Sequence, residues 1–300
     1  MIYDVIIIGG GPAGLNAAVV LGRCLRKVLL FDSGKQRNLY SHGMHNYLTR
    51  DNIRPGKFLE LSRVETEKYG VQYRNLEITK AKKVDDIFEV TDKNNKKHYS
   101  KKLILATGLS DILPKLTGAK ELYGKSMHHC PYCDGWEVRH KRIGIYAESK
   151  NGIDLALILT TWSKTITFYT NNKKFLRSDK EAMLNSKGIA VHHGKIKALN
   201  GNNGFIKDIE FTDGTKDKCE ALFFSTGYEV QCDLVENLGC YVDKKNVAIT
   251  TRSQQTNIPG LYVVGDASRD MHFVVVAAAE GAKAGVYINK ELNAEDLGKL

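Results

Sequence analysis

The segment Asp4-Val5-Ile6-Ile7-Ile8-Gly9-Gly10-Gly11-Pro12-Ala13-Gly14 stands almost at the start of the chain. Its unbroken apolar run, Val5 to Ile8, reads as a parallel strand buried on both faces. The glycines that follow fall as G-x-G-x-x-G, a helical stretch continues to Arg23, and a second strand, Lys27 to Phe31, closes on Asp32. Strand, glycine turn, helix, strand and terminal acid together make a dinucleotide-binding unit. Gly9 permits the tight turn, Gly11 lets backbone approach a pyrophosphate, and Gly14 allows helix and strand to pack closely. Pro12 and Ala13 start a helix whose free N–H groups and positive dipole end face the phosphates. Asp32 is placed to accept hydrogen bonds from ribose hydroxyls. Its charge opposes a 2′-phosphate, which favours FAD or NAD over NADP in this first site.

Working outward, the same unit recurs. Arg142 to Tyr146 reads as a strand, Asn151 to Ser163 as a helix, and Thr165 to Tyr169 as a strand. Gly9 to Asp32 spans 23 positions, as does Ala147 to Thr170. Each half later has a strand ending in Thr-Gly, at Ala106-Thr107-Gly108 and at Thr226-Gly227. Repetition of strand, loop and spacing argues for two copies. With Pro114 and Pro259-Gly260 as breakers, the expected fold class is α/β with two Rossmann-like domains. The FAD domain is discontinuous, 1–112 and 245–300, and a nucleotide-binding-like middle domain, 113–244, is inserted in it. Gly265-Asp266 follows the last strand, Leu261 to Val264, and precedes a helix beginning near Val274. Asp266 suits the ribityl hydroxyls, and the helix aims its N-terminus at the flavin edge where reduction builds negative charge.

Composition excludes several classes. At 42% hydrophobic and 26% charged the chain is not disordered. The apolar run Phe273 to Ala279 stops at Glu280, far short of the roughly 20 residues that span a bilayer, so no membrane association is expected. With no targeting signal at the N-terminus, a cytoplasmic location is the expectation. Forty-four basic against 34 acidic residues leave a charge of +10. The lysines are scattered, without the aromatic-interleaved stripe of single-strand binders, so nucleic acid is not the expected partner. A generally basic surface also suits an acidic protein partner.

Six cysteines are present, and only Cys130 and Cys133 have C-x-x-C spacing, within Cys130-Pro131-Tyr132-Cys133-Asp134-Gly135. Two intervening residues let the sulfurs meet across one helical turn, where a helix N-terminus favours a thiolate. Asp134 is a candidate acid–base for the leaving thiol, with His129 as an alternative base. A metal bound by His128, His129, Cys130 and Cys133 is the rival reading. No second C-x-x-C or H-x₃₋₅-H lies at suitable spacing to complete it. The remaining cysteines, Cys24, Cys219, Cys232 and Cys240, read as small hydrophobes.

With these pieces placed, the chain resembles the low-molecular-weight thioredoxin reductase family. Most of all it resembles the thioredoxin-reductase-like branch that includes dithiol oxidases of the gliotoxin and holomycin type. The resemblance rests on Gly9–Gly14, Ala106-Thr107-Gly108, the CPYCDG motif and Gly260 to Ala284, and covers essentially the whole length. It implies that Ser33, Arg37, Asn38, His45 and Asn46 contact FAD, that Cys133 faces the flavin and that Cys130 exchanges with substrate. It further implies a homodimer and a rotation of the middle domain. Two places depart from the family pattern. Its G-G-G-x-S-A loop for NADPH is here Ala147-Glu148-Ser149-Lys150-Asn151-Gly152, and its basic run is Tyr169-Thr170-Asn171-Asn172. Phe273 and Val274 stand where the reductases commonly have Arg-Gln.

The expected activity is a reductase moving electrons from reduced FAD through the dithiol to a protein or small-molecule disulfide, a thioredoxin-like protein among them. The donor is NADPH or an acidic redox protein such as ferredoxin or flavodoxin. The alternatives are a dithiol oxidase using oxygen as acceptor and a non-catalytic flavin-binding sensor module.

Overall fold

A computed structural model describes residues 1–268 and 271–298. In chain order the first part comprises β1 (Ile2–Ile8), α1 (Pro12–Arg23), β2 (Val28–Asp32), α2 (Pro55–Lys68), β3 (Gln72–Asn75), β4 (Ile78–Val84), β5 (Ile87–Asp92) and β6 (Lys97–Leu105). There follow β7 (Leu109–Asp111), α3 (Ala119–Leu122), β8 (Met127–His128), α4 (Pro131–Asp134), β9 (Ile143–Ala147), α5 (Asn151–Leu159), β10 (Ile166–Tyr169), α6 (Ser178–Ser186) and β11 (Ile189–His192). The remainder is β12 (Ile196–Asn202), β13 (Phe205–Phe211), β14 (Lys216–Lys218), β15 (Ala221–Ser225), β16 (Tyr228–Val230), α7 (Leu234–Asn237), β17 (Leu261–Val263) and α8 (Val274–Asp296).

The first sheet runs β3-β2-β1-β6-β5-β4, with β17 paired to β6. Its β3, β2, β1, β6 and β17 are parallel, while β5 and β4 are added antiparallel. Both faces are covered, which is why β1 reads as continuous apolar sequence. Val5 and Ile7 pack under α1 and α8, with Leu21 and Ile288. Ile6 and Ile8 pack on the other face against Phe88 and Leu103. The Gly9–Gly14 turn therefore leaves the centre of a sheet held on both sides.

The second sheet, β11-β10-β9-β15-β8, is wholly parallel and has its own two cores. Two mixed α/β units of the expected class are thus joined through the antiparallel ribbon β7–β16, in which Asp111 pairs with Tyr228. One boundary differs from the sequence expectation. Leu234, Val235 and Cys240, assigned above to the middle domain, pack into the core of the first sheet. After the ribbon, α7 packs on β4 of the first sheet and buries Leu234 and Val235 there. Among the described residues no helix is long and apolar enough to cross a membrane.

Candidate active site

The glycine turn is tight for reasons visible atom by atom. Gly9 has φ +113°, and a Cβ there would lie 2.1 Å from the Ala106 carbonyl oxygen. A Cβ on Gly14 would lie 1.9 Å from the Gly9 carbonyl oxygen, so Gly14 sets the packing of turn on helix. Gly11 differs: nothing lies within 4 Å of its Cβ position, and it borders a long cleft. The backbone there is free to be covered by a ligand. Gly9, Pro12, Ala13, Ser33, Asn38, Ala106, Thr107 and Gly108 line the same cleft, as do Gly265, Asp266 and Val274. Val274 is the first residue of α8, so that helix N-terminus opens onto the cleft.

Asp32 lies at the end of β2, almost wholly buried, and also borders the cleft. Its carboxylate already accepts from Gly34 N at 3.0 Å, from Gln36 Nε2 at 2.8 Å to each oxygen, from Arg63 Nη2 at 2.9 Å and from Tyr73 OH at 2.5 Å. Asp32 thus reaches the cleft already held by several protein donors. Arg63 offsets part of its charge, and Gln36 Nε2 bonds both of its oxygens. Burial first, then the bond to Asp32, pushes the Tyr73 phenol up, so it stays a donor.

Arg37 is placed in the cleft but is engaged by protein. Its Nε donates to Asp111 Oδ2 at 2.9 Å and its Nη2 to Asp111 Oδ1, while Nη1 reaches Asp266 Oδ2 at 3.2 Å. Nη1 also meets His272 Nδ1 at 2.9 Å. Asp111, only 2% exposed on β7, further accepts from Tyr123 OH and faces His129 Nδ1 at 3.2 Å. Burial pushes the Asp111 carboxyl up, but the Arg37 hydrogen bond and the neighbouring charges hold it below the usual range. The Arg37 guanidinium is pulled down by burial and, on balance, raised by Asp111 and Asp266. Burial, then the Arg37 charge, push His129 down to about 4, outweighing Asp111.

Cys130 and Cys133 are joined as a disulfide, with Cα atoms 5.3 Å apart. Cys130 caps α4, accepting from Cys133 N at 3.1 Å on its Sγ. Cys133 and Asp134 line the cleft; Cys130 is not among its lining residues. Asp134 Oδ1 lies 3.1 Å from His128 Nδ1, and the His128 ring packs on Phe223. No group of three or more His, Cys, Asp or Glu among the described residues is placed to hold a metal. His45 borders the cleft, facing Asp51 at 3.0 Å and Glu137 at 3.5 Å. Asn46 is turned elsewhere: its amide donates to the Tyr132 carbonyl at 2.8 Å. Asn46, expected as a flavin contact, ties its loop to the dithiol turn and is not among the residues that line the cleft.

A profile of the pyridine nucleotide-disulphide oxidoreductase family matches residues 3–281. The chain belongs to that family. Thioredoxin reductase tcpT of Claviceps purpurea is 33% identical over 98% of this chain and 95% of its own. The structure of the putative thioredoxin reductase TrxB of Bacillus anthracis superposes with a TM-score of 0.94, at 30% identity, over 98% of this chain and 99% of its own. That of HlmI does so with a TM-score of 0.94, at 32% identity, over 99% and 94%. This oxidoreductase is therefore a thioredoxin reductase-like enzyme, of a family that is FAD-dependent.

In the second unit of the oxidoreductase, the loop after β9 carries side chains where the first has glycine. A Cβ on Gly152 would lie 2.2 Å from the Ala147 Cβ, so α5 is packed on an alanine rather than on a glycine turn. The Glu148 carboxylate is held by Tyr146 OH at 2.6 Å, and Asn171 Nδ2 reaches the same hydroxyl at 3.4 Å. Glu148 lies at the β9 end, next to β15, where ligands settle in a doubly wound sheet.

Sequence reasoning missed Asp111, Tyr123, Arg63, Tyr73 and Glu280. Glu280, 5% exposed on α8, accepts from Gly265 N at 2.8 Å and from Ser268 Oγ at 2.9 Å. An acid directly after the apolar run Phe273 to Ala279 was the signal available for it.

Proposed function

We propose that the chain binds FAD in the long cleft and exchanges two electrons between it and a disulfide substrate through Cys130 and Cys133. The carrying observation is that Cys133 shares one cleft with the Gly9–Ala13 turn and the α8 N-terminus, while Cys130 does not line it. The cleft residues fit the cofactor. Gly11 leaves room for a pyrophosphate, the N-termini of α1 and α8 supply unpaired N–H donors, and Asp266 offers a carboxylate. Bound there, FAD supplies a two-electron reservoir. The protein's own residues do the rest. Cys130 exchanges with the substrate disulfide, Cys133 closes the intramolecular disulfide and faces the cleft, and Asp134 handles the proton of the leaving thiol. Reducing the substrate disulfide consumes two electrons and two protons and leaves Cys130–Cys133 oxidised.

The middle unit does not fit a pyridine nucleotide. Glu148 stands at the β9 loop, and Ala147 with Ser149 replaces backbone-only positions. The proposed donor is therefore a small acidic redox protein of ferredoxin or flavodoxin type, suited to a chain of charge +10. The acceptor is a protein disulfide, such as a thioredoxin-like protein, or a small-molecule disulfide. The same Glu148 observation favours a second reading, in which a dithiol substrate reduces Cys130–Cys133 and oxygen takes the electrons. The resemblance implies a homodimer, and a cytoplasmic location is proposed with it.

The test is spectroscopic. The purified protein should be yellow. Cys130→Ser should leave Cys133 as a thiolate beside oxidised flavin, with a long-wavelength absorbance that Cys133→Ser lacks. Colourless protein that takes up no FAD, or the band in Cys133→Ser alone, removes the reading.

A further inference from the structure

The turn that carries the dithiol is not held by its own burial. Helix α4 is a single turn of four residues, Pro131–Asp134, and none of them is buried. One helical turn is costly to nucleate and marginal alone, so its position is set by what it packs against. The support comes from the far end of α5. Trp162 stands three residues past Leu159, the last residue of that helix, and packs on the core of the middle unit that contains Val138 and Leu159. A Cβ on Gly135 would lie 2.7 Å from Trp162 Cδ2 and 2.9 Å from Cε2, so the indole sits flush on the Gly135 backbone. The Tyr132 ring meets the same indole edge-on, with 5.7 Å between centroids and planes at 85°. Hydrogen bonds tie this corner to the segment that leaves the dithiol. His140 N donates to the Trp162 carbonyl at 2.8 Å, and Ser163 Oγ donates to the Lys141 carbonyl at 2.6 Å. His140 is kept there at φ +66°, a conformation a side chain holds only where its surroundings impose it.

We propose that Trp162 is a positioning residue of the redox reaction: its ring fixes the Cys130–Cys133 turn in the place from which Cys133 faces the cleft. The inference rests on the reading of Cys130 and Cys133 as the redox dithiol. Tyr132 precedes Cys133 and Gly135 lies two residues after it, so the indole touches the turn on both sides of that cysteine. Contacts on both sides fix the backbone of Cys133 in direction as well as in place. Trp162 does not line the cleft and acts through the turn. A platform that favours one path of the turn also favours the closed disulfide. It keeps the two Cα atoms near the 5.3 Å at which the sulfurs can bond, whether or not the bond is made. Helix α5 starts just after the loop that carries Glu148 and ends under the dithiol. The middle unit therefore serves the redox centre independently of what its loop binds.

The experiment uses the FAD-loaded full chain and two readouts. The first is taken in the Cys130→Ser background, where the Cys133 thiolate gives the long-wavelength band. Adding Trp162→Ala should remove most of that band at unchanged FAD occupancy, and adding Trp162→Phe should keep most of it. The second keeps both cysteines and equilibrates the protein anaerobically in glutathione buffers, followed by acid quench, alkylation and counting of free thiols by mass spectrometry. Trp162→Ala should weaken the disulfide about 10-fold, a rise of roughly 30 mV in its potential, and Trp162→Phe far less. Loss of the indole also lowers the unfolding temperature, so both readouts are taken well below it, with Trp162→Leu in place of Trp162→Ala if the latter folds poorly. Trp136→Ala is the control. That indole follows Gly135 but is 64% exposed and lies under the Arg139 guanidinium, so its removal should move neither readout. Either readout left unchanged by Trp162→Ala overturns the proposal, as does an equal effect of Trp162→Phe or of Trp136→Ala. Failure of the underlying reading looks different: Cys130→Ser alone then gives no band.

Discussion

Individual residues in and around the cleft divide into those whose role is local and those whose role is made by distant partners. Gly9 and Gly14 belong to the first kind, since their Cβ positions collide with backbone only a few bonds away or on the neighbouring strand. Glu280 belongs to the second. Fifteen residues separate it from Gly265, yet it accepts that residue's N–H and the Ser268 hydroxyl in a buried site. An unpaired buried carboxylate would be costly, so the Gly265 and Ser268 donors and the turn they belong to help to stabilise it and are stabilised in return. Glu280→Ala would strand the Gly265 N–H, where φ is +73°, and loosen the Gly265–Asp266 turn. The expected outcome is a loss of about 2–3 kcal/mol in denaturant unfolding, at roughly 1–3 kcal/mol for each buried group left unpaired. Lower FAD occupancy should accompany it, whereas Glu280→Gln, which keeps an acceptor oxygen, should cost far less. Equal stability of Glu280→Ala and wild type would show that the turn does not depend on this acid.

At the scale of elements, the α/β repeat was legible because parallel strands buried on both faces leave continuous apolar runs, and because glycine turns punctuate them. The β4–β5 extension of the first sheet was less so: its strands alternate, and Lys80, Lys82 and Lys83 make them read as solvated surface. The charge cluster was not legible at all. Arg37 meets Asp111 from 74 positions away and Asp266 from 229, and no periodicity announces such a pairing. Asn46 shows the same limit from the other side. A resemblance placed it on the flavin, while the fold turned its amide to Tyr132. The loop that carries it bends through left-handed residues Asn46, Thr49 and Asn52, and His45 reaches Glu137 just beyond α4. Thr49 is β-branched at φ +72°, a conformation kept only where surroundings hold it. This loop pins the dithiol turn toward the cleft. If the middle unit rotates to present Cys130 to a substrate, the Asn46–Tyr132 bond must break first. Asn46→Ala removes about 0.5–1.5 kcal/mol of that restraint, a shift of roughly 2- to 10-fold toward the open arrangement. Hydrogen exchange at the Cys133–Gly135 amides should speed up by that factor, with the β1 amides unchanged; identical exchange in the variant would show that the loop is no latch.

For the whole molecule the question is where electrons enter. Two nucleotide-binding-like units are present, and only the first has kept bare backbone at its turn. In the second, Tyr146 OH, itself reached by Asn171 Nδ2, holds Glu148 at the β9 end, so a pyrophosphate would meet a carboxylate and lose backbone donors to Ala147 and Ser149. Losing two or three phosphate hydrogen bonds, at roughly 1.5–3 kcal/mol each with a charged partner, weakens binding by a few orders of magnitude. Lys173 and Lys174 lie three and four positions past Thr170 and recover only part of that, because exposed charges are screened. The overall charge of +10 meanwhile favours acidic partners, through a long-range attraction that salt weakens. Stopped-flow reduction of the bound flavin separates the cases. Millimolar NADPH or NADH should reduce it sluggishly, whereas a reduced ferredoxin or flavodoxin should do so quickly at low ionic strength and more slowly as salt rises. Glu148→Gly together with Ala147→Gly should improve the nucleotide rate by at least 10-fold if the loop is the obstacle. Rapid, saturable reduction of the unaltered protein by micromolar NADPH would show that the second unit binds the nucleotide despite Glu148, and the donor assignment would fall.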